Sequence, residues 1–339
     1  MPVIHSLFTP DIEKMRRSGD IEGLIRVLRN HDTADPRKVE IALISLGEPS
    51  IVPLIAALKD SDRRVREVAV EALGGLRSPL AIRPLIEALK DEEWHIRFLA
   101  TLGLVEMGKE VTDDLVTALG NEDRDIRLGA AWALGEIKDE RAVMPLIQAL
   151  GDRDHLVRGA TIWALGEIRD GRAVEPLGSA LKDPHREIRQ DAAWALGEIK
   201  DERGVGYLLD SLGDEEKDVQ YEAALALVWT KEVRIMDRIV EALQKGDIRV
   251  RRNAARALGE LHDVRPLDAL IHALKDEDRD VRLEATKALG VLGDPRACDP
   301  LNEALNDLED TEVQRSARES LAAIRRVCPP PDTERINPG

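Results

Sequence analysis

The chain has 339 residues, of which 43% are apolar and 34% charged, and a formal net charge of -16. So acidic a balance argues against nucleic acid as the main partner, because phosphate binding needs a cationic footprint, and it favours basic partners. Two cysteines, Cys298 and Cys328, suggest no disulfide framework, and no apolar run approaches the roughly 18 residues needed to span a membrane.

The first residues, MPVIHSLFTPDIEK, lack a cationic stretch followed by a long apolar run. No secretory leader is therefore expected, and a cytoplasmic location follows by default. Thr9-Pro10-Asp11 reads as a helix start, with Thr9 as cap and Pro10 at the first position. That helix, within residues 1–19, is expected to cap the N-terminal end of the fold.

Residues 20–327 repeat. A branched residue returns at Val65, Ile96, Ile126, Val157, Ile188, Val219, Val250, Val281 and Val313, in steps of 30 to 32 residues. Arg follows it at 66, 97, 127, 158, 189, 251 and 282, with Gln220 and Gln314 in its place twice. Such a period marks stacked supersecondary units that cannot bury an apolar face alone. A stack of this kind grows in one dimension and needs no domain division.

Each unit carries two helical patterns. In residues 139–168, Asp139 can cap a first helix with the stripe Ala142, Val143, Leu146, Ile147 and Leu150. Gly151 ends it, and Asp152 or Asp154 can cap the second. Pro53, Pro84, Pro145, Pro176 and Pro266 fall early in first helices, where proline is best tolerated. No stretch alternates as a strand does. The unit with KVEIALISLG at 38–47 is degenerate. The last unit, with Gln314, Arg315, Ser316, Arg318, Glu319 and Ser320, is polar enough to close the stack. The segment CPPPDTERINPG, 328–339, reads as a disordered tail.

Advancing about 100° per residue along a second helix, counted from its branched residue as zero, puts positions 0, 4, 7, 8 and 11 on one apolar side. Positions 2, 3, 6 and 10 face away from it. Position 6 reads Glu71, Leu102, Trp132, Trp163, Trp194, Leu225, Arg256, Lys287 and Glu319, so five successive units present a large apolar side chain. Position 10 sets Glu136, Glu167, Glu198 and Trp229 beside that column, and position 2 adds Phe98 and Tyr221. Gly129, Gly159 and Ala160 flank the tryptophans on the same face.

Two readings stand for the column. Three indoles, at about 150–250 Å² each, form a hot-spot surface for a partner, with the acids selecting a basic and apolar segment. Alternatively each indole lies flat on the next helix above Gly129 or Gly159 and packs the units together. Arg249, Arg251, Arg252 and Arg256 make the C-terminal third of this face more basic, suited to acidic groups of a partner or to a phosphate, or simply solvated. Self-association through the stripe is a further reading. The Arg at position 1 reads as structural.

The wording AAWALGEIKDERAVMPLIQAL at 130–150, repeated closely at 161–181 and 192–212, resembles HEAT repeats of the short, phycobilisome-lyase-like subtype. The resemblance implies an all-α, right-handed solenoid of about ten two-helix repeats, second helices lining a concave side, and an Asp–Arg ladder between units, for which Asp125, Asp218 and Asp280 are candidates. It implies a non-catalytic protein-interaction scaffold without cofactor. The alternative is a bilin-lyase-like enzyme or subunit that holds a tetrapyrrole or another flat ligand in the same groove. Deoxyhypusine hydroxylases resemble the fold too, but they use His-Glu pairs, and none of the seven histidines here is followed by Glu. No phosphate loop, zinc-spaced cysteine pair or nucleophile motif occurs.

Overall fold

A computed structural model describes residues 10–30, 35–230, 233–305 and 310–327. The regular structure among them is helical throughout, in pairs that recur with the period of the sequence. The helices gather into two compact units, Met1–Asp170 and Gly171–Gly339.

The first unit holds α1 (Ile12–Ser18), α2 (Ile21–Val27), α3 (Pro36–Leu46), α4 (Ile51–Ala57), α5 (Arg63–Leu76), α6 (Ile82–Ala88), α7 (Trp94–Met107), α8 (Thr112–Ala118), α9 (Arg124–Ile137), α10 (Val143–Ala149) and α11 (His155–Ile168). The second holds α12 (Val174–Ala180), α13 (Arg186–Ile199), α14 (Val205–Ser211), α15 (Lys217–Trp229), α16 (Val233–Lys245), α17 (Ile248–Glu260), α18 (Leu267–Ala273), α19 (Arg279–Leu292), α20 (Cys298–Ala304) and α21 (Thr311–Val327). Thr9 and the tail 328–339 lie outside the described residues. The cap of α1 is Asp11, which accepts from the Lys14 amide, and the helix starts after Pro10.

The caps explain the boundaries. Asp154 caps α11 by accepting from the Leu156 amide, which settles the choice between Asp152 and Asp154. Asp139 caps a short 3-10 turn, Glu140–Ala142, that leads into α10, so the first helix starts later than its apolar stripe suggests. Most second helices end on a residue of left-handed backbone: Arg77, Lys138, Arg169, Lys200 or Gly293. Pro53, Pro84, Pro145 and Pro176 are third in their helices, whereas Pro266 stands outside, as the cap of α18.

The core follows the periodicity. The Leu at position 8 (Leu73, Leu104, Leu134, Leu165, Leu196, Leu227, Leu258, Leu289) is buried in every repeat from α5 to α19. Within each unit, successive second helices lie directly against one another, while successive first helices touch far less. The second helices are therefore the tightly spaced layer, and the recurrent Gly at position 9 makes that spacing possible. A Cβ on Gly74 would lie 2.8 Å from the Gly103 Cα; one on Gly259 would lie 2.9 Å from the Ala288 Cα.

An Arg–Asp ladder ties repeat to repeat. Arg66 Nε and Nη2 donate to the Asp91 carboxylate at 2.8 and 3.1 Å, and Arg127 reaches Asp152 in the same way. In the second unit Arg189 pairs with Asp214 and Arg251 with Asp276. The forked partner is thus the Asp of the turn before the next second helix, not Asp218 or Asp280, while Asp125 comes only within 3.9 Å of Arg97. That turn sits beside the Arg, and its Asp also accepts the amide two residues on. Arg97 lacks the forked pair because Asn121 occupies the equivalent turn position; it keeps the carbonyl contact common to the ladder arginines, donating to the Asp91 carbonyl at 2.7 Å, and lies 3.9 Å from Asp125.

Candidate functional site

The site residues expected from sequence fall on the outward side of the second-helix layer in both units. In the first unit Phe98 is 46% exposed, and Trp132 and Trp163 are half-buried. Their rings form one run. Phe98 is tilted against Trp132 with centroids 6.2 Å apart, and Trp132 stacks on Trp163 at 5.6 Å and 12°. Leu102, one turn after Phe98 on α7, is half-buried.

The packing reading accounts for part of this geometry. Trp163 does serve packing, since a Cβ on Gly135 would meet its Cζ3 at 2.7 Å. The glycine beneath the indole is Gly135 rather than Gly129, whose own neighbour is the Leu89 side chain. The physical reason is register: the indole lies against the previous second helix at its position 9, six residues beyond position 3.

In the second unit Trp194, Leu225 and Trp229 are half-buried and Tyr221 is 50% exposed. Trp229 Cε3 would stand 3.3 Å from a Cβ on Gly197, so it too packs on the position 9 glycine.

The acid column is partly neutralised from within. Glu167 pairs with Lys138, and Glu106, at the same position, lies 3.5 Å from Arg77. Glu136 is exposed, and Glu198 is half-buried with interactions of its own. Of the basic cluster, Arg251 belongs to the ladder. Arg252 donates to Gln220 Oε1 at 2.7 Å, filling the place left where Gln220 replaces the ladder Arg. Arg256 Nε donates to Glu284 at 3.3 Å. These arginines hold partners inside the chain.

Sequence reasoning missed three features. Trp94, at the start of α7 and outside the column, is the most exposed Trp, Tyr or Phe among the described residues, at 69%. Asp191 and Glu222, at position 3 of successive helices, are half-buried carboxylates. Burial, then the charges of Glu222 and Glu187, push Asp191 up to about 6. Glu71 is the third: burial, then Glu40 and Glu67, push its carboxyl up to about 7. An acid immediately before the five apolar members of the column was the available signal for Glu71.

Glu71 has a consequence for stability. Its folded-state pKa lies above its ordinary 4.5, so the folded chain holds the proton more tightly between those values. The contribution is full below about 4.5 and is lost as pH rises through about 7. We expect Glu71→Gln to raise stability at pH 8 by about 1 kcal/mol, allowing for solvent screening, and to leave it unchanged near pH 4. Urea midpoints across pH check this; equal gains at both ends would remove the explanation.

Among the described residues no group of His, Cys, Asp and Glu is arranged to hold a metal ion, and no single helix is long and apolar enough to cross a membrane.

Comparison with known proteins places this architecture. No curated protein matches the sequence. Yeast importin-beta (Kap95p) superposes with a TM-score of 0.57 at 13% identity, covering 93% of this chain and 53% of that one, so this chain spans about half its length. An engineered protein is similar over 90% of this chain and 99% of its own at 22% identity, TM-score 0.41. The CpcE–CpcF complex of phycocyanin lyase from Nostoc sp. PCC7120 is similar over 81% and 94% at 22% identity, TM-score 0.34. The family model described as HEAT repeats matches residues 51–120, 83–158, 112–182, 143–228 and 236–322. With helix pairs of matching period beneath those matches, the chain belongs to the HEAT-repeat family.

Proposed function

We propose that this protein is a non-catalytic scaffold whose second-helix layer docks a segment of another protein. The observation that carries the reading is the run Phe98, Trp132 and Trp163: three rings in contact on the outward side of the layer, Phe98 nearly half exposed. Rings already held against one another lose little freedom when a partner covers them, and aromatic anchors dominate interfaces. The net charge of -16 favours a basic segment.

A displayed dodecapeptide library tests the idea. The full chain should enrich peptides with an apolar anchor. The double variant Phe98→Ala, Trp132→Ala should bind the selected peptides more weakly by about 2 kcal/mol, roughly 30-fold. Trp163 is left intact because its ring also covers Gly135, and its removal would confuse docking with stability. Equal affinity in a variant whose circular dichroism and urea midpoint show it folded would end the proposal.

A further inference from the structure

The aromatic column stops at its N-terminal end in a notch. Two departures from the repeats that follow make it: position 6 of α5 is Glu71 where the next five carry Leu or Trp, and position 10 is Gly75 where the next four carry Glu. The result is a cavity of about 210 Å³ between α3, α5 and α7. Its floor is the backbone contact of Gly74 with Gly103, which leaves no room for a side chain. Leu99 and Leu102 form an apolar wall on the side toward the ring run. Glu40, Glu71 and Glu106 supply carboxylates. Glu106 faces Arg77 at 3.5 Å, and nearby Glu67 faces His95 at 3.1 Å. Glu40 and Glu71 are half-buried, and among the described residues neither has a hydrogen-bonded or ion-paired partner.

Two carboxylates are thus partly withdrawn from water at the end of an apolar wall, with Arg37 acting on both only from beyond ion-pair distance. Keeping both charged is unfavourable unless a closer cation arrives; without one, Glu71 keeps its proton up to about 7. The described carboxylates are not arranged as a metal site. What fits is a cation on a long aliphatic stem, because such side chains lie along apolar surface and keep the charged head among polar groups.

We propose that the notch takes an Arg or Lys side chain of the docked segment, its stem along Leu99 and Leu102 and its cationic head between Glu40 and Glu71. This rests on the docking function above and adds a fixed place for one basic residue next to the apolar anchor.

The same dodecapeptide library reads the two claims apart. On the natural chain, Arg or Lys should be enriched at one fixed spacing from the apolar anchor. On the double variant Glu40→Gln, Glu71→Gln the apolar enrichment should remain while the basic preference disappears. A selected Arg peptide should bind this variant about tenfold more weakly, and its citrulline analogue should bind both proteins alike. Apolar enrichment with no basic preference, or a basic preference that survives in the variant, would overturn the notch and leave the docking surface standing. No enrichment of any peptide would overturn both.

Discussion

Asp152→Ala should cost about 3–5 kcal/mol of stability, the range for removing one partner of a buried ion pair. Arg127 is 4% exposed. Its Nε and Nη2 donate to Asp152 at 2.7 and 3.0 Å, and its Nη1 donates to the carbonyls of Asn121 and Glu122 at 2.9 and 3.0 Å. The truncation leaves those carbonyl contacts but strands the charge and two N–H groups away from water. It also removes the acceptor of the Asp154 amide at the start of α11. Each repeat here touches only its neighbours, so the loss should appear at the α9–α11 boundary rather than everywhere. Urea unfolding gives the magnitude, and amide exchange along α9 and α11 gives the place. The double variant Arg127→Met, Asp152→Ala should recover a large part of the loss, because no charge is then left buried. A single variant within about 1 kcal/mol of the natural chain would show that the ladder adds no stability here.

Gly135→Val should be nearly as damaging, at about 3 kcal/mol. Its first added carbon would lie 2.7 Å from Trp163 Cζ3, 2.8 Å from the Ala164 Cα and 2.9 Å from the Ala164 Cβ. One of those neighbours is backbone, so α9 and α11 must move apart, and the repeat spacing changes with them. Gly135→Ala should cost less, because alanine regains about 1 kcal/mol of helix propensity. Gly120→Ala is the control: the nearest atom to its Cβ is the Thr117 carbonyl oxygen at 3.6 Å, ordinary contact, and its effect should be within about 0.5 kcal/mol. Tryptophan emission should shift in Gly135→Val and not in Gly120→Ala. Unchanged stability and emission in the valine variant would contradict the close approach.

These two results concern the features that sequence reading placed least well. The ladder was legible in its arginines, which recur at one register, but not in its acids, because several Asp stand near every helix start. Only one of them, about 25 residues on, lies in the turn that reaches the guanidinium. The position 9 glycines were visible as a recurring letter in ALGE, and nothing in a single helix says that another backbone passes over them. Arg252 was legible as an outward-facing cation, yet its hydrogen bond to Gln220 depends on a substitution one repeat earlier.

The candidate face divides in the same way. That positions 2, 6 and 10 turn away from the apolar core could be read from about 100° per residue alone. How much of each outward side chain the next helix then covers could not. Phe98 and Tyr221 stay open, while Trp132, Trp163 and Trp194 are half-covered. By itself the amino-acid order determined the period, the helical content, the buried stripe and the family, since each is a property of one helix or of its recurrence. The packed structure alone decided which Asp meets which Arg, which glycine lies under an indole, and that Glu71 and Gly75 open a notch. Those depend on the register between helices about 30 residues apart in sequence, and that register is set by side-chain packing across the layer rather than by any local pattern.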